Sequence, residues 1–165
     1  MFKVENVNPF VDQTISKLKD FGVAQEIEKK EMWLLEKNFE TFGRQVGIGI
    51  TGDLKGTYMF EFKESALACE IASGVAGMEF DEWDEFVLSA IKEFVNIVSG
   101  NALITLQSNG KDCNISTPTI REGKFTTTLS DPALRIVYKL KNVYDTGKSA
   151  EIAVIVGVVD NICNV

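Results

Sequence analysis

Residues 86–102 carry the clearest pattern of hydrophobic and polar positions in this chain. Apolar side chains recur there every three or four residues, which is the spacing of one buried face of an α-helix. They are Phe86, Val87, Ala90, Ile91, Phe94, Val95, Val98 and Ala102. The pattern predicts a long helix on a hydrophobic core, ending near residue 106. Its start is expected at Asp81-Glu82, because acidic residues suit the positive end of the helix dipole.

A carboxylate and an amide occupy the opposite face of this predicted helix. Glu93, Asn96 and Gly100 fall within about one sixth of a turn of one another, because an α-helix advances about 100° per residue. Folding gives no reason for Asn96, since asparagine is a mediocre residue for a helix interior. On the pattern alone, a solvated helix face still explains both polar side chains at least as well as a functional site does.

Two shorter helices and a series of strands complete the predicted elements. Helical spacing after Pro9 predicts a first helix over residues 9–21, and a second helix runs from residue 64 to about 75, closed by Gly77. Alternating or continuous apolar runs predict the strands. These runs cover residues 32–39, 45–50, 57–62, 112–116, 126–129, 133–143 and 151–159.

The order of these elements predicts an α+β fold in a single domain, residues 1–165. Helices beside runs of hairpin-connected strands favour a two-layer sandwich, with a mostly antiparallel sheet of roughly six strands and helices packed on one face. Gly47 and Gly49 lie inside a predicted strand, and we expect a helix or a ligand to approach the backbone closely there.

Composition narrows the partners that this domain can have. Hydrophobic residues make up 45% of the 165 residues and charged residues 25%, as in ordinary globular domains. The net charge of −7 opposes binding to a phosphate backbone, so nucleic acid is not expected as a partner. The longest apolar stretch, residues 153–159, is too short to cross a bilayer, and we expect a cytoplasmic protein with no membrane contact.

The chain contains no histidine, which restricts its chemistry. Histidine triads, histidine metal sites and the usual near-neutral general base are all excluded. Three cysteines, Cys69, Cys113 and Cys163, are an odd number without C-x-x-C spacing, so neither a disulfide framework nor a thiolate metal site is expected. Any catalysis must run on carboxylates, amides, backbone groups or groups of a partner.

Several short motifs together resemble the chemotaxis phosphatase family that includes CheC and CheX. The resemblance covers essentially the whole chain, and its weight comes from the combination and order of the motifs. They are Asn8-Pro9-Phe10, Gly47-Ile48-Gly49-Ile50-Thr51-Gly52, Gly77-Met78-Glu79, the run from Leu88 to Asn96 with Gly100 after it, and Thr117-Pro118-Thr119. The fold that this family implies agrees with the α+β sandwich predicted above.

The number of Glu-x-x-Asn pairs distinguishes members of this family. CheC-type members carry a second such pair on their first helix. The one formal match in that region here is Glu5 with Asn8, and Pro9 directly after it is expected to place the pair before the helix. We therefore interpret that match as accidental, and a single pair makes the chain CheX-like.

The resemblance implies a phosphatase that acts on the aspartyl phosphate of a response regulator, typically phosphorylated CheY. Asn96 would orient the attacking water, and Glu93 would anchor the partner by pairing with a lysine of the regulator. Ser89 and Gly100 would keep the helix surface low for the regulator's approach. Lys92 stands where relatives usually carry a small residue, and it is expected to affect partner selectivity more than activity.

The resemblance also implies that this chain needs no cofactor or metal of its own. Mg²⁺ would be bound by the regulator, and the protein would form a homodimer, for which the Thr126-Thr127-Thr128 segment is a candidate shared strand. Two alternatives remain. One is a non-catalytic module that binds a response regulator or the flagellar switch through the same face, and the other is a dimeric structural protein without a regulator partner.

Two groups of conspicuous side chains have plain structural explanations. A cation could bind the acidic residues Asp81, Glu82, Asp84 and Glu85, although dipole compensation and solvation account for such a cluster more often. Trp33 and Trp83 could anchor an interface, but large aromatic residues in a domain of this size usually belong to the core.

Overall fold

The computed structural model describes residues 2–143 and 148–162, so Cys163 lies outside the described residues. Three helices are present in this part of the chain: α1 (Val4–Asp20), α2 (Ser65–Ala76) and α3 (Glu85–Ser108). The second helix has the predicted bounds to within one residue, and Gly77 ends it in the left-handed conformation at φ 71°.

Within residues 2–143 and 148–162, nine strands form one large sheet and one small sheet. Their bounds are β1 (Glu26–Leu35), β2 (Asn38–Glu40), β3 (Arg44–Gly52), β4 (Leu54–Phe62), β5 (Cys113–Ile115), β6 (Thr119–Glu122), β7 (Thr126–Thr128), β8 (Ala133–Val143) and β9 (Lys148–Asp160). The large sheet has the order β1-β8-β9-β4-β3, and β5 and β6 pair one after the other with the outer edge of β3. All pairings are antiparallel, so the roughly six-stranded antiparallel sheet is confirmed.

One face of the large sheet and the three helices enclose the main core. Successive strand residues point to opposite faces of the sheet, as the sequence of β4 predicts. Tyr58, Phe60 and Phe62 face the helices, and Met59 and Glu61 face the other side. Both α1 and α2 pack against α3, and α3 in turn contacts β3, β5 and β6. The two-layer α+β sandwich with helices on one face is therefore confirmed.

The other face of the sheet carries a smaller cluster that is covered by the ribbon of β2 and β7. Leu35 and Phe39 pack there against Val137 and Ile155. Gly47 and Gly49 also face this side, because Val46, Ile48 and Ile50 between and beside them are buried in the helix-side core. The expected close approach of a helix is wrong. A Cβ at Gly47 would instead lie 3.2 Å from Cγ of Met59.

The first helix begins five residues earlier than predicted. Pro9 lies inside α1, where a proline costs roughly 3 kcal/mol because it removes a backbone hydrogen bond. Val7, one turn into the helix, is completely buried, and its burial contributes roughly 1.5–3 kcal/mol. The packing of this first turn offsets the proline. Glu5 and Asn8 consequently lie on α1 and are exposed, so their placement before the helix is corrected.

The long helix begins later than predicted. Asp84 is its N-cap, and the Asp84 carboxylate accepts a hydrogen bond of 3.0 Å from the backbone N–H of Val87. Asp81 and Glu82 therefore precede the helix instead of forming its first turn. By length and composition α3 could cross a membrane, but 44% of its most apolar window is buried inside the protein.

The strand β1 was predicted only in its second half. Its first residues are charged and exposed, which hides a strand from hydrophobic pattern analysis but is typical of an edge strand. Ion pairs of 2.7 Å join Lys30 to Glu151 and Glu28 to Lys141. Trp33 also lies on this edge and is 39% exposed, so its assignment to the core is wrong.

Candidate functional site

The exposed face of α3 carries the residue pair that the sequence singles out. Glu93 is exposed and Asn96, one turn further on, is half-buried. The fully buried residues of the same helix point the other way. They are Val87, Ile91, Phe94, Val95, Val98, Ser99, Ala102 and Leu106. The face that bears Glu93 and Asn96 is thus directed away from the core, as predicted.

The packing beneath α3 holds this face in a fixed position. Phe94, between Glu93 and Asn96 in sequence, is completely buried, and its ring lies 5.3 Å from that of Phe60 on β4 and 6.3 Å from that of Phe21 at the end of α1. Aromatic contacts of this kind fix a helix in rotation as well as in position. Glu93 and Asn96 are therefore presented by a rigid scaffold.

Small residues leave the surface beside the pair low. A Cβ added at Gly100 would have no atom within 4 Å, so the space over this part of α3 is open. Ser89, one turn before Glu93, is exposed, and Lys92 is half-buried. Across residues 2–143 and 148–162, no hydrogen bond or ion pair engages the side chain of Glu93 or Asn96. Both groups are available to a second molecule.

The chemistry that this face can perform follows from its functional groups. A carboxylate can pair with a cation, and an amide can both donate a hydrogen bond to a water molecule and accept one from it without ionising. The described part of the chain contains no group of three or more Cys, Asp or Glu residues placed to hold a metal ion. The arrangement therefore suits an exposed docking surface with one orienting amide.

Phe86 is the residue of this face that sequence reasoning assigned wrongly. It was expected in the buried stripe, but its side chain is 72% exposed, whereas Val87 beside it is completely buried. At about 100° per residue, Phe86 points within about 20° of the direction of Glu93, whereas Val87 points about 120° away from it, toward the core. The signal was available in the sequence, because Phe86 is seven residues, about two turns, before Glu93 and so shares its direction.

The second Glu-x-x-Asn pair, on α1, differs from the pair on α3 in its surroundings. Glu5 and Asn8 are both exposed and have the same spacing. Four residues after Asn8, however, stands the exposed carboxylate of Asp12, where Gly100 stands relative to Asn96. A negative charge at that point repels an approaching phosphoryl group, so the α1 pair lacks the open, uncharged surface of the α3 pair.

A buried polar network lies on the opposite side of the sheet. Glu61 is completely buried, its Oε2 accepts a hydrogen bond of 3.0 Å from Gln45, and its Oε1 lies 3.7 Å from the guanidinium of Arg135. Burial raises the pKa of the Glu61 carboxyl, and the contacts with Gln45 and Arg135 oppose that rise in part. The sheet separates this network from α3.

Known proteins share part of this sequence, and they identify the family to which the chain belongs. A curated relative, the CheY-P phosphatase CheX of Thermotoga maritima, is 34% identical over 77 residues, which span 47% of this chain and 50% of that relative. The match thus covers about half the length of the curated relative. The family model described as chemotaxis phosphatase CheX matches residues 45–139, which include β4, the whole of α3 and all of β3 except its first residue.

Solved structures share the fold over nearly the whole chain. Chemotaxis protein CheX from Desulfovibrio desulfuricans has a TM-score of 0.74 at 19% identity and covers 94% of this chain and 99% of its own. The CheX–CheY–BeF3–Mg complex from Borrelia burgdorferi gives a TM-score of 0.68 at 22% identity, with coverage of 96% and 100%.

A mostly antiparallel sheet covered on one face by three helices is the fold of CheC/CheX-like proteins. Within that class, this chain belongs to the chemotaxis phosphatase CheX family.

Proposed function

We propose that this protein dephosphorylates the aspartyl phosphate of a response regulator, phosphorylated CheY or a similar protein, in chemotaxis signalling. The observation that carries the proposal is the pair Glu93 and Asn96, free on the rigid outer face of α3 in a chain of the CheX family. Two relatives support it by name, one as a CheY-P phosphatase and one as a CheX solved with CheY.

Asn96 acts as the catalytic residue in this proposal. An acyl phosphate is already reactive, so its hydrolysis depends mainly on a water molecule held in line with the bond that breaks. The Asn96 amide accepts a hydrogen bond from this water and donates one to the phosphoryl oxygens. Because the side chain is half-buried on a helix that the core holds rigidly, little freedom has to be lost when the water is positioned.

Glu93 anchors the partner. Its exposed carboxylate pairs with the lysine of the regulator's active site, and the docked surfaces exclude water from this pair. The pairing fixes the register in which Asn96 meets the phosphoryl group. Ser89 and Gly100 let the regulator approach the helix closely, and Lys92 at the flank of the face contributes to the choice of partner.

The remaining features of the proposal concern cofactor, assembly and location. Mg²⁺ is held by carboxylates of the regulator and not by this chain. The protein works in the cytoplasm as a homodimer, and it binds neither nucleic acid nor membrane. The short strand Thr126–Thr128, paired with Asn38–Glu40 along one edge, supports the homodimer because its other edge offers unpaired backbone groups.

The direct test is to incubate the wild-type protein with the phosphorylated receiver domains of its own cell. We expect faster release of inorganic phosphate from at least one receiver than from the same receiver alone. Binding to a receiver without faster release would instead support the non-catalytic module. A receiver that neither binds nor loses phosphate faster, across the whole set, would contradict the proposal.

A further inference from the structure

We propose that Phe86 and Ile104 are apolar anchors for the response regulator, placed at the two ends of the face that bears Glu93 and Asn96. This inference rests on the proposed function and names the residues that set the affinity of the same site. Phe86 is 72% exposed and Ile104 is 64% exposed, and both lie on α3.

The two anchors share one direction. Phe86 and Ile104 are 18 residues apart, a whole number of turns at about 3.6 residues per turn, so both side chains leave the helix on the same side. Phe86 stands about 10 Å before Glu93 along the axis, and Ile104 about 12 Å after Asn96. The pair of polar residues is therefore bracketed by two apolar ones on a continuous face.

The span of the bracket matches a single docked domain. Phe86 and Ile104 are about 27 Å apart along α3. A contact patch of about 800 Å² on one partner, the usual size in a specific complex, is roughly 30 Å across. One globular partner centred on Glu93 and Asn96 can therefore cover both anchors.

Folding does not explain why these two positions are apolar. An isolated exposed apolar residue is ordinary on a protein surface. On α3, however, Phe86 and Ile104 are the large hydrophobic residues that stay exposed among the described residues, and both fall on the face of Glu93 and not on another. An interface on this face would require both properties, because its apolar residues must be exposed and must point toward the same partner.

The charges around the two anchors differ, and this asymmetry fits one orientation of the partner. Phe86 follows the exposed carboxylates of Asp81, Glu82, Asp84 and Glu85, whereas Ile104 is followed by the uncharged Thr105. Aromatic anchors inside a charged rim are typical of the residues that dominate binding energy. The partner surface that faces Phe86 should therefore be both basic and apolar. It should lie beside the active-site lysine of the receiver, which pairs with Glu93.

The test compares the anchors with matched exposed residues elsewhere. Phe86→Ala and Ile104→Ala are assayed beside Phe86→Leu, which keeps an apolar side chain, and Ile162→Ala, which removes a 75% exposed isoleucine outside α3. KM and kcat are measured by phosphate release from the phosphorylated receiver domain of the CheY-like regulator from the same cell. Affinity is measured by titration calorimetry with the same receiver loaded with BeF3 and Mg, the state in which a relative was solved with CheY. Folding is followed by thermal melting.

We expect Phe86→Ala to raise Kd and KM about tenfold or more, with kcat at saturation unchanged, since a hot-spot aromatic residue contributes to binding and not to the chemical step. Ile104→Ala should have a smaller effect in the same direction. Phe86→Leu should restore most of the affinity, and Ile162→Ala should match wild type. Unchanged Kd and KM in both anchor variants would overturn the inference.

The two proposals fail in different ways. If wild type accelerates phosphate release and both anchor variants have its KM, the anchors are rejected and the phosphatase stands. If wild type binds the receiver without accelerating release, and Phe86→Ala weakens that binding, the anchors stand and the phosphatase is rejected. If wild type does not bind any receiver, both are rejected.

Discussion

The carboxylate of Asp84 accepts a 3.0 Å hydrogen bond from the backbone N–H of Val87, and this contact fixes the residue at which α3 begins. The buried stripe of α3 determines which way each side chain of the helix faces. With Val87 directed into the core, Phe86 is turned outward, and Glu93 and Asn96 follow on the outer face. The Asp84 cap holds the first turn of that helix, where Phe86 lies.

Removal of this cap should lower stability by a predictable amount. Asp84→Ala leaves the N–H of Val87 without its acceptor, and we expect the free energy of unfolding to fall by about 1 kcal/mol. Asp84→Asn keeps a capping oxygen and should stay close to wild type. Urea denaturation of the three proteins measures the difference, and equal stability of the alanine variant would show that the cap does not hold the helix start.

Gly100→Ala separates the stability of α3 from its docking. Alanine is favoured over glycine in a helix interior by about 0.5–1 kcal/mol, and a Cβ here has open space around it. The free protein should therefore become more stable, while the methyl group intrudes on the docked regulator and raises KM. Thr105→Ala, an exposed change outside the Glu93 and Asn96 face, serves as the control for helix propensity. A KM equal to that of wild type would show that no partner needs the space at Gly100.

The predictable part of the fold is the part that hydrophobic periodicity controls. The phase of α3 and the alternation in β4 were read correctly because each buries one regular face. Pro9 misled the prediction of α1, since the local rule against proline in helices ignores the burial of Val7. The start of β1 was missed because an edge strand bears charges that pattern analysis assigns to loops.

Glu61 should make stability depend on pH. Burial raises the pKa of its carboxyl in the folded protein above the value in the unfolded chain. The folded state then binds the proton more readily, so this group's contribution is fully present below the unfolded pKa and is lost as pH rises through the folded pKa. Glu61→Gln removes that dependence.

The measurement compares unfolding free energies of wild type and Glu61→Gln at about pH 4.5 and about pH 7.5. Between the lower and the higher pH, the free energy of unfolding of wild type should fall relative to that of Glu61→Gln. Glu40→Gln, which removes an exposed carboxylate on β2, is the control and should show no such shift. A pH-independent difference for Glu61→Gln would contradict a raised pKa.

Glu93→Gln should weaken docking more than catalysis. The variant keeps the size of the side chain but loses the charge that pairs with the regulator's lysine, and truncating one partner of a desolvated pair costs about 2–5 kcal/mol. We expect KM for the phosphorylated receiver to rise at least tenfold, with a smaller change in kcat. The difference in KM between wild type and Glu93→Gln should shrink as salt is added, because salt screens the charge of Glu93. Loss of kcat with unchanged KM would give Glu93 a different role.

Periodicity placed Glu93 and Asn96 on the outer face of α3, but their polarity alone fits a solvated face equally well. The resemblance of the surrounding motifs to a family, and not polarity, singled the pair out as a candidate site. Phe86 was assigned to the buried stripe because it is apolar, although its position seven residues before Glu93 places it on the outer face. The network around Glu61 joins β3, β4 and β8, and only the pairing of strands brings those residues together.

The most direct test of the central claim compares Asn96→Ala with Asn8→Ala in phosphate release from the phosphorylated receiver. Both changes remove an asparagine three residues after a glutamate on a helix, but only Asn96 has an open, uncharged surface beyond it. We predict that Asn96→Ala lowers kcat at least about 100-fold, since loss of positioning alone has effects of that size. Its melting temperature and receiver affinity should stay near wild type, and Asn8→Ala should keep full activity. A wild-type rate for Asn96→Ala would contradict the assignment.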